Sequence, residues 1–298
     1  MEYLLLGKSS LKISRIGFGC MSLGAENGNA GKILQQAVSM GINYFDTADM
    51  YQRGLNEELV GKAFKGIRDQ VILASKVGNE CRPDGSGWDW NPTKKYMLEA
   101  VEKSLQRLQT DYIDLYQLHG GTIADPIDET IEAFELLKAQ GKIRYYGISS
   151  IRPNVIREYI RRSHIVSVMM QYSLLDRRPE EEMLDLLQKN KIGVLARGSL
   201  ARGLLVSKPA TAFLNYTLEQ VAEAARVIKE VSSDARSATA SAIRFVIDHP
   251  AILSAIVGIR TNEQLKNAVD SVYAKPLTEL ERHQLSTTLP IHYYEEHR

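Results

Sequence analysis

Asp46, Tyr51, Lys76 and His119, all in the first half of the chain, are of types that together could carry proton-transfer chemistry. A phenol, with an ordinary pKa of ~10, donates a proton poorly at neutral pH unless its phenolate is stabilised. A cation is what it lacks. An ammonium roughly 4 Å away contributes about 4 kcal/mol at an effective dielectric of ~20. A carboxylate beside that lysine would hold it charged and oriented, at the cost of part of its effect on the phenol. The imidazole could orient a substrate carbonyl or relay a proton. Singly, each has a plainer role, since a lysine ending a strand is usually ion-paired and a lone histidine is usually structural. Their joint meaning depends on whether the fold brings them to one place.

The elements that must do so are legible as alternation. In residues 44–61, YFDTADMYQRGLNEELVG, the apolar residues up to Phe45 read as strand and Asp46 as its carboxyl edge. Tyr51 follows in a polar loop, and Asn56 reads as the cap of a helix beginning at Glu57. Expected strands are 16–19, 44–46, 71–76, 113–119, 145–149, 167–171, 193–197 and 254–257. Between them, Asn91-Pro92 and Asp125-Pro126 read as caps with first-turn prolines. Thr217 with Gln220, Thr261 with Gln264 and Thr278 with Glu281 fit capping boxes. Residues 93–108 carry Met97, Val101, Leu105 and Leu108 at helical spacing.

Eight strands alternating with helices argue an α/β fold, a single (β/α)8 TIM barrel over residues 1–298, rather than an open sheet. Residues 3–6 and 11–13, flanking Gly-Lys-Ser-Ser, read as a short N-terminal β-hairpin cap. A barrel collects strand carboxyl ends on one face, which places Asp46, Lys76 and His119 together with the Tyr51 loop. A doubly wound dinucleotide fold would need G-x-G-x-x-G after the first strand; here Gly17 and Gly19 are followed by Ser22. Loops 84–92, with Trp88 and Trp90, and 198–216 are the expected ligand-facing segments.

Charged residues make up 24% of the 298 and the formal net charge is +1, so there is no basic field for nucleic acid or an anionic membrane. Cys20 and Cys81 follow no metal-ligand spacing, and no apolar run approaches the ~18 residues that span a bilayer. The start, MEYLLLGKSS, lacks a basic region followed by a long apolar stretch. The expectation is a soluble cytoplasmic protein with free thiols, no metal and a small-molecule partner.

FDTADMY, the lysine ending VILASK, and DYIDLYQLH resemble the motifs of the aldo-keto reductases, in order, within a likeness running from Leu6 to about Ala268. The resemblance assigns a catalytic tetrad to Asp46, Tyr51, Lys76 and His119, with Tyr51 as general acid in carbonyl reduction. It implies a nicotinamide dinucleotide, usually NADPH, lying across the barrel mouth without a Rossmann unit. Gly19 and Met21 would lie beside the nicotinamide. GISS and MMQYSLLDR put Ser149 and Gln171 on its amide. LARGSLARGLL resembles the loop along the pyrophosphate, giving Ser199, Leu200, Arg202 and Gly203, and Lys208 in the same loop adds charge. GIRTNEQL resembles the adenosine end, with Gly258 and Gln264 near adenine. Arg260, a planar guanidinium suited to a 2′-phosphate, favours NADP over NAD.

The chain also departs from that pattern. Arg197 stands where an aromatic ring usually stacks on the nicotinamide, Ser199 replaces a proline, and Ser150 and Ala268 replace asparagines. Arg197 stays in the expected cofactor set because a guanidinium can stack or pair with phosphate. Two other readings remain open at this level. One is a Schiff-base aldolase with Lys76 as nucleophile. The other is an NADPH-binding regulatory subunit resembling the auxiliary subunits of potassium channels. A metal hydrolase would want His-x-His or H-E-x-x-H, and a glycosidase two facing carboxylates. Substrate choice falls to the loops around Trp88 and Trp90 and to residues 276–298.

Overall fold

Apolar strand, loop and amphipathic helix alternate until the sheet closes on itself. The computed structural model describes residues 1–24 and 28–298. Strands β1 (Tyr3–Leu5) and β2 (Lys12–Ser14) pair antiparallel. They are followed by β3 (Ile16–Gly19), α1 (Ala30–Ser39), β4 (Tyr44–Asp46), α2 (Leu55–Phe64) and β5 (Ile72–Val77). A second hairpin, β6 (Asn79–Cys81) and β7 (Trp88–Trp90), precedes α3 (Lys94–Leu108) and β8 (Ile113–Leu118). Next come α4 (Ile127–Ala139), β9 (Ile143–Ser149), α5 (Pro153–Arg162), β10 (Ser167–Gln171) and α6 (Met183–Lys189). The last elements are β11 (Gly193–Arg197), α7 (Leu218–Glu230), α8 (Ala238–Ile247), β12 (Ile252–Gly258), α9 (Asn262–Tyr273) and α10 (Glu279–Thr287).

Eight parallel strands close in the order β10, β11, β12, β3, β4, β5, β8, β9, a (β/α)8 barrel. All eight expected strands are present, with ends shifted by at most two residues. Two apolar layers hold it. Between strands and helices lies the larger core, including Phe18, Phe45, Tyr116, Phe134 and Tyr146. Inside the barrel, Tyr44, Ala74, Leu115, Met169, Leu195 and Ile256 pack together with Leu6, Leu11 and Ile13 of the N-terminal hairpin. The hairpin therefore plugs the amino-terminal end of the barrel.

Side chains on a strand alternate between faces, so the residue two positions beyond each inner apolar residue also faces inward. Tyr44 is followed by Asp46, Ala74 by Lys76, Leu115 by Gln117, Met169 by Gln171 and Leu195 by Arg197. An apolar layer is thus overlaid, at the carboxyl end, by a polar one. Space inside is short: a Cβ on Gly17 would sit 2.5 Å from Ile256 and 2.8 Å from Tyr44.

Several local expectations are corrected. Asn56 does not cap α2, which begins at Leu55; it is fully buried, with Nδ2 donating to the carbonyls of Cys20 and Leu23, both at 2.9 Å. Its Oδ1 accepts from Thr47 at 2.7 Å, so the asparagine ties three segments together. Pro92 lies outside α3, whose cap is Thr93, and Pro126 is itself the residue preceding α4. Asp125 is spent on Thr122 and on Trp90 Nε1 instead. The boxes at Thr217 and Thr278 are complete, whereas Gln264 turns back to the Arg260 amide and leaves the one at Thr261 half made. The expected loop 84–92 ends in strand: Trp90 packs over Gly78, and Trp88 is 49% exposed.

Asn56→Ala would leave the Leu23 carbonyl and the Thr47 hydroxyl without their partner, each costing roughly 1–3 kcal/mol, while the Cys20 carbonyl keeps the Leu23 amide. We expect a loss of about 3 kcal/mol in urea unfolding. A loss under about 1 kcal/mol would show that the Leu23 carbonyl and the Thr47 hydroxyl find other partners.

Candidate active site

Lys76 emerges from β5 into the barrel mouth and is 1% exposed. Its ammonium donates to Asp46 Oδ2 at 2.6 Å, to the Thr47 carbonyl at 2.7 Å and to Tyr51 Oη at 3.3 Å. Three N–H groups meet three acceptors. Burial alone would push the Lys76 pKa down, but the charges and hydrogen bonds of Asp46 and Tyr51 outweigh it and hold the ammonium above its ordinary value. Asp46, 4% exposed, also accepts from Gln117 Nε2 at 3.3 Å.

Tyr51 reaches this point on a constrained loop. Thr47 and Asp49 donate their amides to the carbonyls of Ala74 and Lys76, at 2.9 and 3.3 Å, so the loop is stitched along β5. Directly after Tyr51, Gln52, Arg53 and Gly54 have φ of 50°, 56° and 89°. The left-handed region costs a non-glycine residue roughly 1–3 kcal/mol and persists only where the surroundings impose it. Arg107 helps impose it here, since a Cβ on Gly54 would lie 2.6 Å from its Cδ.

His119, one residue beyond β8, stands edge-on to Tyr51 with ring centroids 5.8 Å apart at 81°. Burial, then the positive charges of Lys76 and Arg197, push its pKa down to about 3. The imidazole is therefore neutral at physiological pH, and its Nδ1 is buried without a hydrogen-bond partner. Asp46, Tyr51, Lys76 and His119 meet at one end of the barrel.

The other expected positions occupy the rest of the rim. Gly19, Ser149, Gln171, Arg197 and Gly258 end β3, β9, β10, β11 and β12, strands adjacent to one another around the barrel. Arg197 Nη1 donates to Gln171 Oε1 at 2.9 Å. Met21 is 64% exposed beside them, and Ser199, 3% exposed, has a hydroxyl without a partner. Leu200, Arg202, Gly203 and Lys208 follow β11; Arg260 and Gln264 follow β12 and are exposed. These loop residues lie outside the buried cluster. Among the described residues neither Lys208 nor Arg260 has an acidic partner, and Arg202 lies over the Phe213 ring at 5.8 Å. Among the same residues no group of three or more His, Cys, Asp or Glu could hold a metal ion.

A family model described as the aldo/keto reductase family matches residues 15–287. The chain belongs to the aldo/keto reductase family. It is 51% identical to an uncharacterised oxidoreductase, YqkF, of Bacillus subtilis, over 98% of each chain. It is 50% identical to the aldo-keto reductase AKR11C1 from Bacillus halodurans in its holo form, with a TM-score of 0.94 over 100% of this chain and 99% of that one. The glycerol dehydrogenase AKR11B4 from Gluconobacter oxydans superposes with a TM-score of 0.87 at 25% identity, over 98% of each chain.

Two contributors to this buried cluster carried no assigned role in the sequence. Gln117 braces Asp46, and the Thr47 carbonyl takes one ammonium proton. The first had a signal, because Gln117 lies two residues before His119 and two beyond the inner Leu115. The second had none, since a backbone carbonyl is the same in every residue.

The histidine state has a measurable consequence. The folded imidazole value lies below the unfolded one of ~6.5, so its share of stability is present in full above ~6.5 and is lost as pH falls towards 3. We expect the His119 15N signals to show no titration between pH 5 and 8. A midpoint near 6.5 would overturn the neutral assignment.

Proposed function

We propose that this chain is an NADPH-dependent reductase of aldehyde or ketone carbonyls, with Tyr51 as general acid and Asp46, Lys76 and His119 as its catalytic partners. The observation that carries the reading is the saturated Lys76 ammonium: Tyr51 Oη accepts from it and so keeps its own O–H free for a substrate oxygen. When bound, NADPH supplies the hydride that reduces the carbonyl carbon. Tyr51 Oη releases its proton to the carbonyl oxygen, and Lys76 Nζ stabilises the phenolate left behind. Asp46, braced by Gln117, keeps the ammonium charged and aimed. Neutral His119 orients the carbonyl oxygen as an N–H donor.

The rim suits a nicotinamide dinucleotide on this chain's own chemistry. Ser149 and Gln171 offer hydrogen bonds to a carboxamide, beside Gly19 and Met21. Arg197 presents a flat guanidinium where a ring would lie, and two residues later the Ser199 hydroxyl is buried without a partner among the described residues. Ser199, Leu200, Arg202, Gly203 and Lys208 would line the pyrophosphate. Gly258, Arg260 and Gln264 would take the adenosine end, with Arg260 on the 2′-phosphate. Unpaired cations at Lys208 and Arg260 are what anionic groups require. The Bacillus halodurans relative is a holo form, which supports the reading that this chain too takes a cofactor.

The same ammonium argues against a Schiff-base aldolase, because a lysine whose three protons are all held has no lone pair to attack a carbonyl. A purely regulatory NADPH-binding subunit would need no free phenolic donor. We further propose that residues 1–298 form one working unit acting on small-molecule carbonyls in the cytoplasm. The two free cysteines are in keeping with that, and among the described residues no helix is long and apolar enough to cross a membrane.

Tyr51→Phe should lower single-turnover oxidation of bound NADPH by a panel of aldehydes at least about 10²-fold, the usual worth of a general acid, while NADPH affinity holds. Parental activity in that variant would sink the assignment. Arg260→Ala should weaken NADPH binding roughly tenfold, as expected for one lost charge-assisted contact, and leave NADH binding unchanged in a fluorescence titration. Equal affinity of the parent for both cofactors would reject the NADP preference.

A further inference from the structure

Behind the tetrad lies a second buried polar cluster that the mechanism does not use. Asp49, two residues before Tyr51, is 8% exposed. Its Oδ2 accepts from Tyr96 on α3 at 3.3 Å, while its Oδ1 is buried without a partner. Glu57 on α2, fully buried, is a second carboxyl group close by. Two acids thus face one guanidinium, and Glu57 takes it: Arg107 Nε donates to Glu57 Oε2 at 2.7 Å, and Ser75 donates to Oε1. The Lys76 ammonium cannot serve Asp49, because Asp46, Thr47 and Tyr51 occupy it. Around them lie Tyr96 on α3, Tyr116 on β8, Glu80 and Cys81 on β6, and Arg53 in the loop itself. Among the described residues Asp49 has no ion pair: Arg107 lowers its pKa from a distance while bonded to Glu57.

We propose that Asp49 is a positioning residue for Tyr51: as a neutral acid it holds the loop of residues 47–54 in register with β5, and as a carboxylate it loosens that loop. The proposal rests on the reading of Tyr51 as the proton donor. Its geometric basis is that Asp49 tethers the loop from both sides of its backbone. Its amide bonds the Lys76 carbonyl and its side chain bonds Tyr96, just ahead of three consecutive left-handed residues. An ionised Asp49 would sit in a dry site beside Glu57, met by the Tyr96 hydroxyl and the Met50 amide but, among the described residues, by no ion-pair partner. Such a group is driven towards water, and Tyr51 is two residues away.

The titration follows the same geometry. Burial first, and then Glu57, push the Asp49 pKa up to about 7, from an ordinary value of 3.8. The folded value lies above the unfolded one. The advantage of the neutral acid is therefore present in full below 3.8 and is lost as pH rises through about 7. Within the folded protein Asp49 ionises around pH 7, so proton donation by Tyr51 should weaken as pH rises through about 7.

The test uses full-length protein labelled with 13Cζ-tyrosine, with the Tyr51 signal identified through Tyr51→Phe. In the parent the Tyr51 signal should move with a midpoint near 7, and Asp49→Asn should abolish that step. Glu57→Gln removes the repelling charge and should shift the midpoint down; Tyr96→Phe removes a hydrogen bond to the carboxylate and should shift it up. A merely structural role would not produce shifts of opposite sign. Single-turnover NADPH oxidation across the same pH range should lose its step near 7 in Asp49→Asn. A step that persists in Asp49→Asn, or a midpoint unmoved in both other variants, overturns the proposal. Coupling seen in the tyrosine signal without any hydride transfer in the parent would instead reject the reductase reading and leave Asp49 as a positioning residue.

Discussion

An ammonium group taken almost wholly out of water governs this molecule. Burying one charge costs several kcal/mol, and removing a buried partner typically costs about 3–5 kcal/mol more. Lys76 is tolerable only because Asp46 neutralises it and because Thr47 and Tyr51 accept its other protons. Each acceptor must then be placed to within a few tenths of an ångström. Asp46 is fixed by Gln117 and by its position at the end of β4; the Thr47 carbonyl is fixed by the amide bond that pairs Thr47 with Ala74. The requirement that stabilises the buried charge is the one that presents a phenol, with its own hydrogen free, to the barrel mouth.

That requirement propagates outward through the loop behind Tyr51. A left-handed run at Gln52 and Arg53 is unfavourable in isolation and is held by groups on three neighbouring elements. Asn56 ties Thr47 to the carbonyls of Cys20 and Leu23, and Arg107 on α3 packs against Gly54 and pairs with Glu57. Burial, and then Glu57, push the Asp49 carboxyl well above its ordinary range, since the guanidinium between the two acids is bonded to Glu57.

On the opposite side of the rim the constraint is looser. Arg197 and Gln171 are hydrogen-bonded to each other, and the cations beyond them are exposed. An arginine in place of an aromatic ring keeps a flat surface and adds a charge that also lowers the pKa of His119. Arg197 therefore links this part of the rim electrostatically to the state of the His119 imidazole.

The chain's alternation of short apolar strands and amphipathic helices was enough to specify the eight-stranded barrel and its plugging hairpin. The repeated pattern of an inner apolar residue followed two places later by a polar one also set which side chains share a layer. These features are local and periodic, so they survive in one dimension. Loop geometry was less legible: Asn56 read as a cap because its neighbours on α2 look like a helix start, yet its partners Cys20 and Leu23 lie more than thirty positions earlier. Pro92 and Pro126 misled for a similar reason, since Asp125 was taken up by Trp90 from a hairpin that the glycine-bearing loop concealed. Only closure of the barrel decided that Lys76 would meet three acceptors, that the guanidinium near Asp49 would bond Glu57 instead, and that burial would hold His119 neutral. Those outcomes depend on distances between segments remote in sequence, and on how completely packing excludes water from the space between them.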